Sequence, residues 1–230
     1  MAKRPIFNPK FDSVGVDETI IDFKWFSGFA ASQKKKSIES MHSIANEQGY
    51  EKLLEISSKS ENSLGVALSA FNLKIITKKY QRTFSVECAF QSSKVFEKGG
   101  PYIDILGGDS LSAKKDIRLK SSGNLISFQF FNQEFPIEPR TFFYDWIYIN
   151  ALIQNGGLAE EVSKYQSFTD IEFNPEKSIN CQAHSVALYL SLKKNNVLDT
   201  ALSSPENFLL NTKEHYDKQL RKIAVQRKMF

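Results

Sequence analysis

At 230 residues, with 41% hydrophobic and 13% aromatic side chains, the chain is long enough to bury a core without disulfide or metal staples. Its 30 basic and 26 acidic residues leave a net charge of +4, which is compatible with a polyanionic partner but too small to demand one. Two distant cysteines (Cys88 and Cys181), three histidines without ligand spacing (His42, His184 and His215) and no apolar run of bilayer length argue against a disulfide framework, a zinc site and a membrane-spanning helix.

Residues 1 to about 18 are sparse in apolar side chains and are expected to form an arm or irregular entry. The basic start MAKRPIFNPKFDS has no apolar h-region, so no secretory signal is expected, and the cysteine usage fits a reducing cytoplasm. FKWFSGFA (23–30) is aromatic-rich and expected to be buried. In the segment that follows, Ser32 suits an N-cap, Ile38, Met41, Ile44 and Ala45 recur at helical spacing, and Gly49 suits a stop. Residues 51–56 fit a short helix or strand, SSKSENS (57–63) a polar loop, and residues 64–87 one or two strands around a basic turn at Lys78-Lys79.

A helix is expected over 86–97, and it would place Glu87, Gln91 and Lys94 at i, i+4 and i+7 on one face. On residue type alone such a face is more often solvated than functional. Glycine pairs at 99–100 and 107–108 read as turns around PYIDIL. A helix opened by Asp109 or Ser110 is expected over 109–119, an alternating hairpin arm over 123–135, and a helix from Pro139 that stops at Gly156-Gly157. Residues 158–166 read as helical and 167–175 as extended. SINCQAHSVALYLSLKKNN (178–196) reads as an amphipathic helix with basic residues at its C-terminal end, and residues 211–230 form a basic helical pattern. The class is α+β, predominantly α-helical with a few short strands.

VECAFQSSKVF (86–96) resembles the signature of the NADAR (YbiA-like) family, in which a Glu is followed by an aromatic-Gln pair and then a Lys. Upstream, LSAFNLKIITKKYQRTFSVE is similar to the family's strand that leads to that Glu through a Ser and a Phe. Downstream, LSAKKDIRL is similar to its small-residue helix with an Ala-Lys pair. WIYINALIQNGGLAEEVSKYQSFTDIEF resembles its helix pair ending in an acidic residue, and INCQAHSVALYL its closing Asn-containing helix. These motifs keep the family's order across roughly residues 66 to 194, which is far more specific than any one of them. FSGFAASQKKKSI and EISSKSENSLG look like the subgroup of antitoxins that accompany DarT-type DNA-ADP-ribosylating toxins. One departure is NPEKS (174–178), which stands where the family has a Trp-Gly-rich stretch.

The resemblance implies one NADAR-like domain with its core at 66–194, an N-terminal extension (1–65) packed on it and a basic helical C-terminal extension (195–230). It implies a cytoplasmic ADP-ribosyl glycohydrolase that takes ADP-ribose off guanine in DNA, with no metal or cofactor, and reverses a partner toxin that it could also bind. Two alternatives remain open at this point. One is an antitoxin that holds ADP-ribose or NAD, or occludes the toxin, without turnover; the other is an N-glycosidase acting on a riboflavin-pathway intermediate.

Hydrolysis at ribose passes through an oxocarbenium-like state, which a carboxylate near C1 stabilises or a nucleophile traps. Glu87 suits the first role and also proton transfer, and Lys94 suits the second once its amine is desolvated. Gln91 can orient a hydroxyl or a water. Ser69, Phe71 and Phe90 are expected to shape the pocket, Trp146 to stack on a base, Asp170 and Glu172 (with Asp145 a further acid) to bond ribose hydroxyls, and Asn180 to bond a ribose or phosphate oxygen. For Trp146 a place in the core competes evenly with stacking.

Overall fold

The computed structural model describes residues 1–28, 30–77 and 79–219. In chain order the elements are β1 (Ala2–Pro9), β2 (Val16–Phe23), α1 (Ala31–Glu47), β3 (Leu53–Glu55), α2 (Ser63–Ala67), β4 (Lys74–Ile76) and β5 (Thr83–Ser85). Then come α3 (Val86–Ser92), β6 (Lys94–Phe96), a 3-10 turn (Ile103–Gly107), α4 (Ser110–Lys115), α5 (Arg118–Ser121), β7 (Leu125–Phe130), β8 (Gln133–Phe135) and α6 (Phe142–Gln154). The last are α7 (Gly156–Val162), β9 (Ser167–Thr169), α8 (Gln182–Lys194), α9 (Leu198–Leu202) and α10 (Pro205–Lys218). The fold is α+β. The chain forms two compact units, one from Met1–Ser69 with the residues from Gly157 on, the other from Ala70–Gly156.

The first unit is built on a four-stranded sheet of order β2-β1-β9-β3. The expected irregular entry is instead an antiparallel hairpin, β1 on β2, in register from Ala2↔Phe23 to Pro9↔Val16. Pro5, Pro9 and the flanking charges hide a strand whose Ile6 and Phe7 are both fully buried. Ile38, Met41 and Ala45 of α1 pack on Ile6, Ile21 and Phe23, with Ile44 partly buried beside them. The expected N-cap at Ser32 is not used: α1 starts from Ala30 without a capping side chain. Gly49 does follow the helix, at φ +87°, where a side chain is disfavoured. Of the aromatic segment 23–30, Phe23 is buried, Trp25 and Phe26 are half-buried, and Phe29 lies outside the described residues.

The reading of 51–56 resolves to a strand, β3, which runs parallel to β9. The segment read as strand from residue 64 opens as a helix, because Asn62 accepts from the Leu64 N–H and caps α2. The helix expected to be amphipathic is α8, and Ala183 through Leu192 are all buried, so it is enclosed on every side. Its last turn carries Lys193 and Lys194, as the dipole favours. Residues 211–218 complete α10; residues 220–230 of the basic tail lie outside the described residues.

The second unit contains the two-stranded sheet β4-β5, the three-stranded sheet β6-β7-β8 and the buried helix α6. β7 and β8 form the hairpin expected over 123–135. α6 begins three residues after Pro139, and the glycine pair expected to end it opens α7 instead. Phenylalanine dominates this core. Phe143 lies 4.7 Å from Phe128 and 4.8 Å from Phe135, centroid to centroid, with Phe90 and Phe130 within 6.3 Å. Phe143→Ala should therefore lower the unfolding free energy by about 3–5 kcal/mol in urea titration. A loss below about 1 kcal/mol would show that the cluster does not carry this unit.

Candidate active site

In the second unit the site is organised by the start and the stop of α3. Its first N–H groups are satisfied locally: Val86 N donates to Leu73 O (3.0 Å), Glu87 N to Ala70 O (2.9 Å) and Cys88 N to Ser85 Oγ (3.1 Å). The Ser110 hydroxyl, 2.7 Å from Ser85 Oγ and 2.9 Å from Phe71 O, ties the cap to the turn before β4. Asp109, in turn, caps α4 through the Leu111 and Ser112 N–H groups. The Glu87 side chain is buried in this frame, and Gln91 Nε2 donates to Glu87 Oε1 at 2.9 Å. Gln91 Oε1 is buried without a partner among the described residues. A buried unsatisfied carbonyl costs on the order of 1–3 kcal/mol, which a hydroxyl or N–H from a ligand would recover.

The helix does not run on to 97. Ser93 N and the Ser92 and Ser93 hydroxyls all donate to Ala89 O (3.2, 3.0 and 2.7 Å), and Ser93 O accepts from Gln129 N at 2.7 Å. Backbone pairing thus shifts from helix to sheet, and Lys94 opens β6 opposite Phe128. Lys94 is therefore not the third member of a helical stripe. It folds back so that Nζ lies 4.7 Å from the Phe90 ring centroid. Gly100, at φ +92°, passes so close to the Lys94 carbonyl that a Cβ would collide with it.

Enclosure pulls the Lys94 amine down to about 8; Glu87 opposes that shift and Lys114 adds to it. Phe90 is part of the aromatic core, edge-on to Tyr144 at 5.1 Å and 5.5 Å from Phe128, so it forms a dry floor beneath Lys94. Lys114 Nζ sits 5.4 Å from the half-buried Phe71 ring. On α6, Asp145 is buried and Trp146 half-buried. Phe71, Glu87, Phe90, Gln91, Lys94 and Trp146 all belong to this unit.

The other expected residues belong to the first unit. The buried Ser69 hydroxyl donates to Val66 O at 2.8 Å. Asp170 Oδ1 accepts from the Glu172 and Phe173 N–H groups (3.0 and 3.2 Å), and Oδ2 lies 3.7 Å from Cys181 Sγ. Glu172 is exposed and pairs with Lys34 at 3.1 Å. Asn180 precedes α8 rather than lying on it, and its Oδ1 is buried without a partner among the described residues.

Sequence reasoning missed the groups around these. Glu55 is buried, accepting from Thr169 Oγ1 (2.6 Å) and Ile171 N (2.8 Å), and His42 Nε2 lies 2.8 Å from the same Thr169 hydroxyl. Arg4 and Lys34 lie 5.4 and 4.6 Å from the Trp25 ring centroid. Arg4 Nε is buried without a partner among the described residues, and Arg4 feels Asp170, Glu176 and Glu172 electrostatically. In the sequence, Glu55 is one acid in an apolar run and Arg4 one charge in a basic start, so neither stood out. The Ala113-Lys114 pair was visible as a motif, and it was its place near Lys94 that was not.

Burial, reinforced by Glu55, raises Asp170 to about 8, and burial raises Glu55 as well. Among the described residues no three His, Cys, Asp or Glu side chains are placed to hold a metal ion, and no helix is long and apolar enough to cross a membrane. From about pH 4 to 8 an unfolded Asp170 would be ionised while the folded one keeps its proton, so stability falls as pH rises across that window. The urea midpoint of the wild type should drop from pH 5 to pH 8, and Asp170→Asn should flatten that drop. An equal drop in both proteins would refute the protonated buried acid.

No curated protein matches the chain. A family model described as "DarT1-associated NADAR antitoxin" matches residues 2–222, spanning both units and every residue considered above. The chain therefore belongs to the NADAR antitoxin family associated with DarT1.

Proposed function

We propose that this protein hydrolyses the N-glycosidic bond between ADP-ribose and guanine in DNA, in the cytoplasm, and so reverses the modification made by a DarT-type toxin. The observation that carries the reading is the Lys94 amine, held over Phe90 and drawn down to about 8 close to the buried Glu87–Gln91 pair. At pH 7.5 roughly a quarter of such an amine is neutral, against about one in a thousand for an ordinary lysine. Family membership supports an antitoxin of NADAR type; the reaction and the substrate are our inference.

When the ribose ring opens, its anomeric carbon becomes an imine carbon attached to the guanine nitrogen. The neutral Lys94 Nζ adds to that carbon, the carbon–guanine bond breaks, and Glu87 carries to the departing nitrogen the two protons that Nζ gives up. Water then adds to the Lys94 Schiff base, the carbon–Nζ bond breaks, and the freed aldehyde of ADP-ribose recloses. Gln91 keeps Glu87 in place through its amide N–H and turns its free carbonyl toward a ribose hydroxyl. Phe71, Phe90 and Trp146 supply apolar and aromatic surface for the sugar and base. Ser69, Asp170, Glu172 and Asn180 belong to the other unit and take no part in these steps.

With a guanine-ADP-ribosylated oligonucleotide, wild type should release ADP-ribose, and Glu87→Gln should lose at least about a hundredfold of that rate with its melting curve unchanged. No release by wild type, with oligonucleotide or ADP-ribose still bound, would instead favour an antitoxin that binds without turnover. Borohydride added during turnover should fix a sugar adduct on Lys94, with a yield rising through about pH 8. Full turnover by Lys94→Arg would sink the covalent route.

A further inference from the structure

The reaction leaves unused the basic turn between β4 and β5. From Lys74 to Arg82 the sequence holds Lys74, Lys78, Lys79 and Arg82 and no acid. Of these, Lys74, Lys79 and Arg82 are exposed and form no ion pair among the described residues. At the tip Tyr80 is 68% exposed, with Lys79 Nζ at 5.0 Å and Arg82 Cζ at 6.0 Å from its centroid. The turn is tied at its neck, where Thr77 N donates to Arg82 O (2.9 Å) and Arg82 N to Thr77 Oγ1 (3.0 Å). Its base is anchored on the end of α6: Ile76 N donates to Gln154 Oε1 (2.9 Å) and Asn155 Nδ2 to Lys74 O (3.0 Å).

We infer that this hairpin is a contact for a single DNA strand, in which the Tyr80 ring stacks on a base while Lys79 and Arg82 hold the adjoining phosphates. The inference rests on the proposed DNA substrate and adds the surface that engages the strand beside the modified guanine. β5 runs directly into Ser85, the cap of α3. Its three residues, at about 3.3 Å each, set Arg82 on the order of 10 Å from the start of the helix that carries Glu87. That spacing suits a neighbouring nucleotide rather than the one being cleaved. Cations packed on an exposed ring are held weakly and exchange readily for phosphates, while a base offers the ring a larger apolar face. An array of cations without an acid, around one exposed aromatic ring, matches a polyanion that carries flat bases better than it matches a protein surface of mixed charge.

The test is anisotropy of a fluorescent, unmodified single-stranded oligonucleotide at several salt concentrations, paired with turnover of ADP-ribosylated guanosine as a free nucleoside. Tyr80→Ala should weaken strand binding about tenfold. The double variant Lys79→Ala/Arg82→Ala should weaken it and lower the slope of log K against log salt by about 1.4, for two single-strand phosphates. Both variants should turn over the nucleoside like wild type. Strand binding and salt slope unchanged in both variants would overturn the inference. So would intact strand binding with lost binding of the partner toxin, which would assign the hairpin to a protein contact. If wild type binds the strand and the variants do not, but nothing is hydrolysed, the hairpin assignment stands and the glycohydrolase reading falls.

Discussion

One carbonyl, Ala89 O, takes the Ser93 amide and the hydroxyls of Ser92 and Ser93, and the geometry of the lysine follows from that convergence. Had α3 continued, Lys94 would have stood on a helix face one turn beyond Gln91, with its amine free to reach water. Ending the helix there gives the chain to β6, with Tyr102 N taking up the Ser92 carbonyl and Gln129 N that of Ser93. The lysine stem then turns back across Phe90. Gly100 is needed for the same reason, since a side chain there would push against the Lys94 carbonyl and undo the turn.

The acid partner is set by the other end of the same short helix. A seven-residue helix has few internal hydrogen bonds, so its first N–H groups must be met from outside. Leu73, Ala70 and Ser85 meet them, and Glu87 sits one residue inside that frame, where the helix dipole favours a negative charge. Gln91 then limits what Glu87 can do, because one carboxylate oxygen is already engaged. Acid, amide and amine are thus held by backbone bonds at fixed positions and not by the flexibility of long side chains.

Much of this was legible in the sequence, and what was not has definite physical causes. The Glu87–Gln91 pair follows from the helical repeat alone, and the hairpin over 123–135 follows from alternation. The lysine's conformation did not follow, because serine pairs are tolerated within helices and only their actual bonds decide whether they stop one. β1 was missed because two prolines and scattered charges break its pattern, although burial against α8 and β9 needs only Ile6, Phe7 and their neighbours. α8 was misread because Ser185, Ser191 and His184 look like a polar face, yet each is buried. The pairing of Glu55 with Asp170 joins residues 115 positions apart and leaves no periodic trace.

Burial acts on two titratable groups, in opposite directions on the pH scale and each toward its neutral form. It brings Lys94 down to about 8 and Asp170 up to about 8. Lys94 weakens the fold as pH falls from its unfolded value near 10.5 to about 8, and that weakening stays in full below 8. Asp170 weakens it as pH rises from about 4 to about 8. Near neutrality both effects are almost complete, so the fold there bears the cost of a charged amine enclosed at Lys94 and of an acid held neutral at Asp170. A fold selected for stability alone would replace both with apolar side chains of similar size. The phenylalanine packing beneath Lys94 supplies no hydrogen bond to its amine, so the rest of the core must offset the cost of enclosing it.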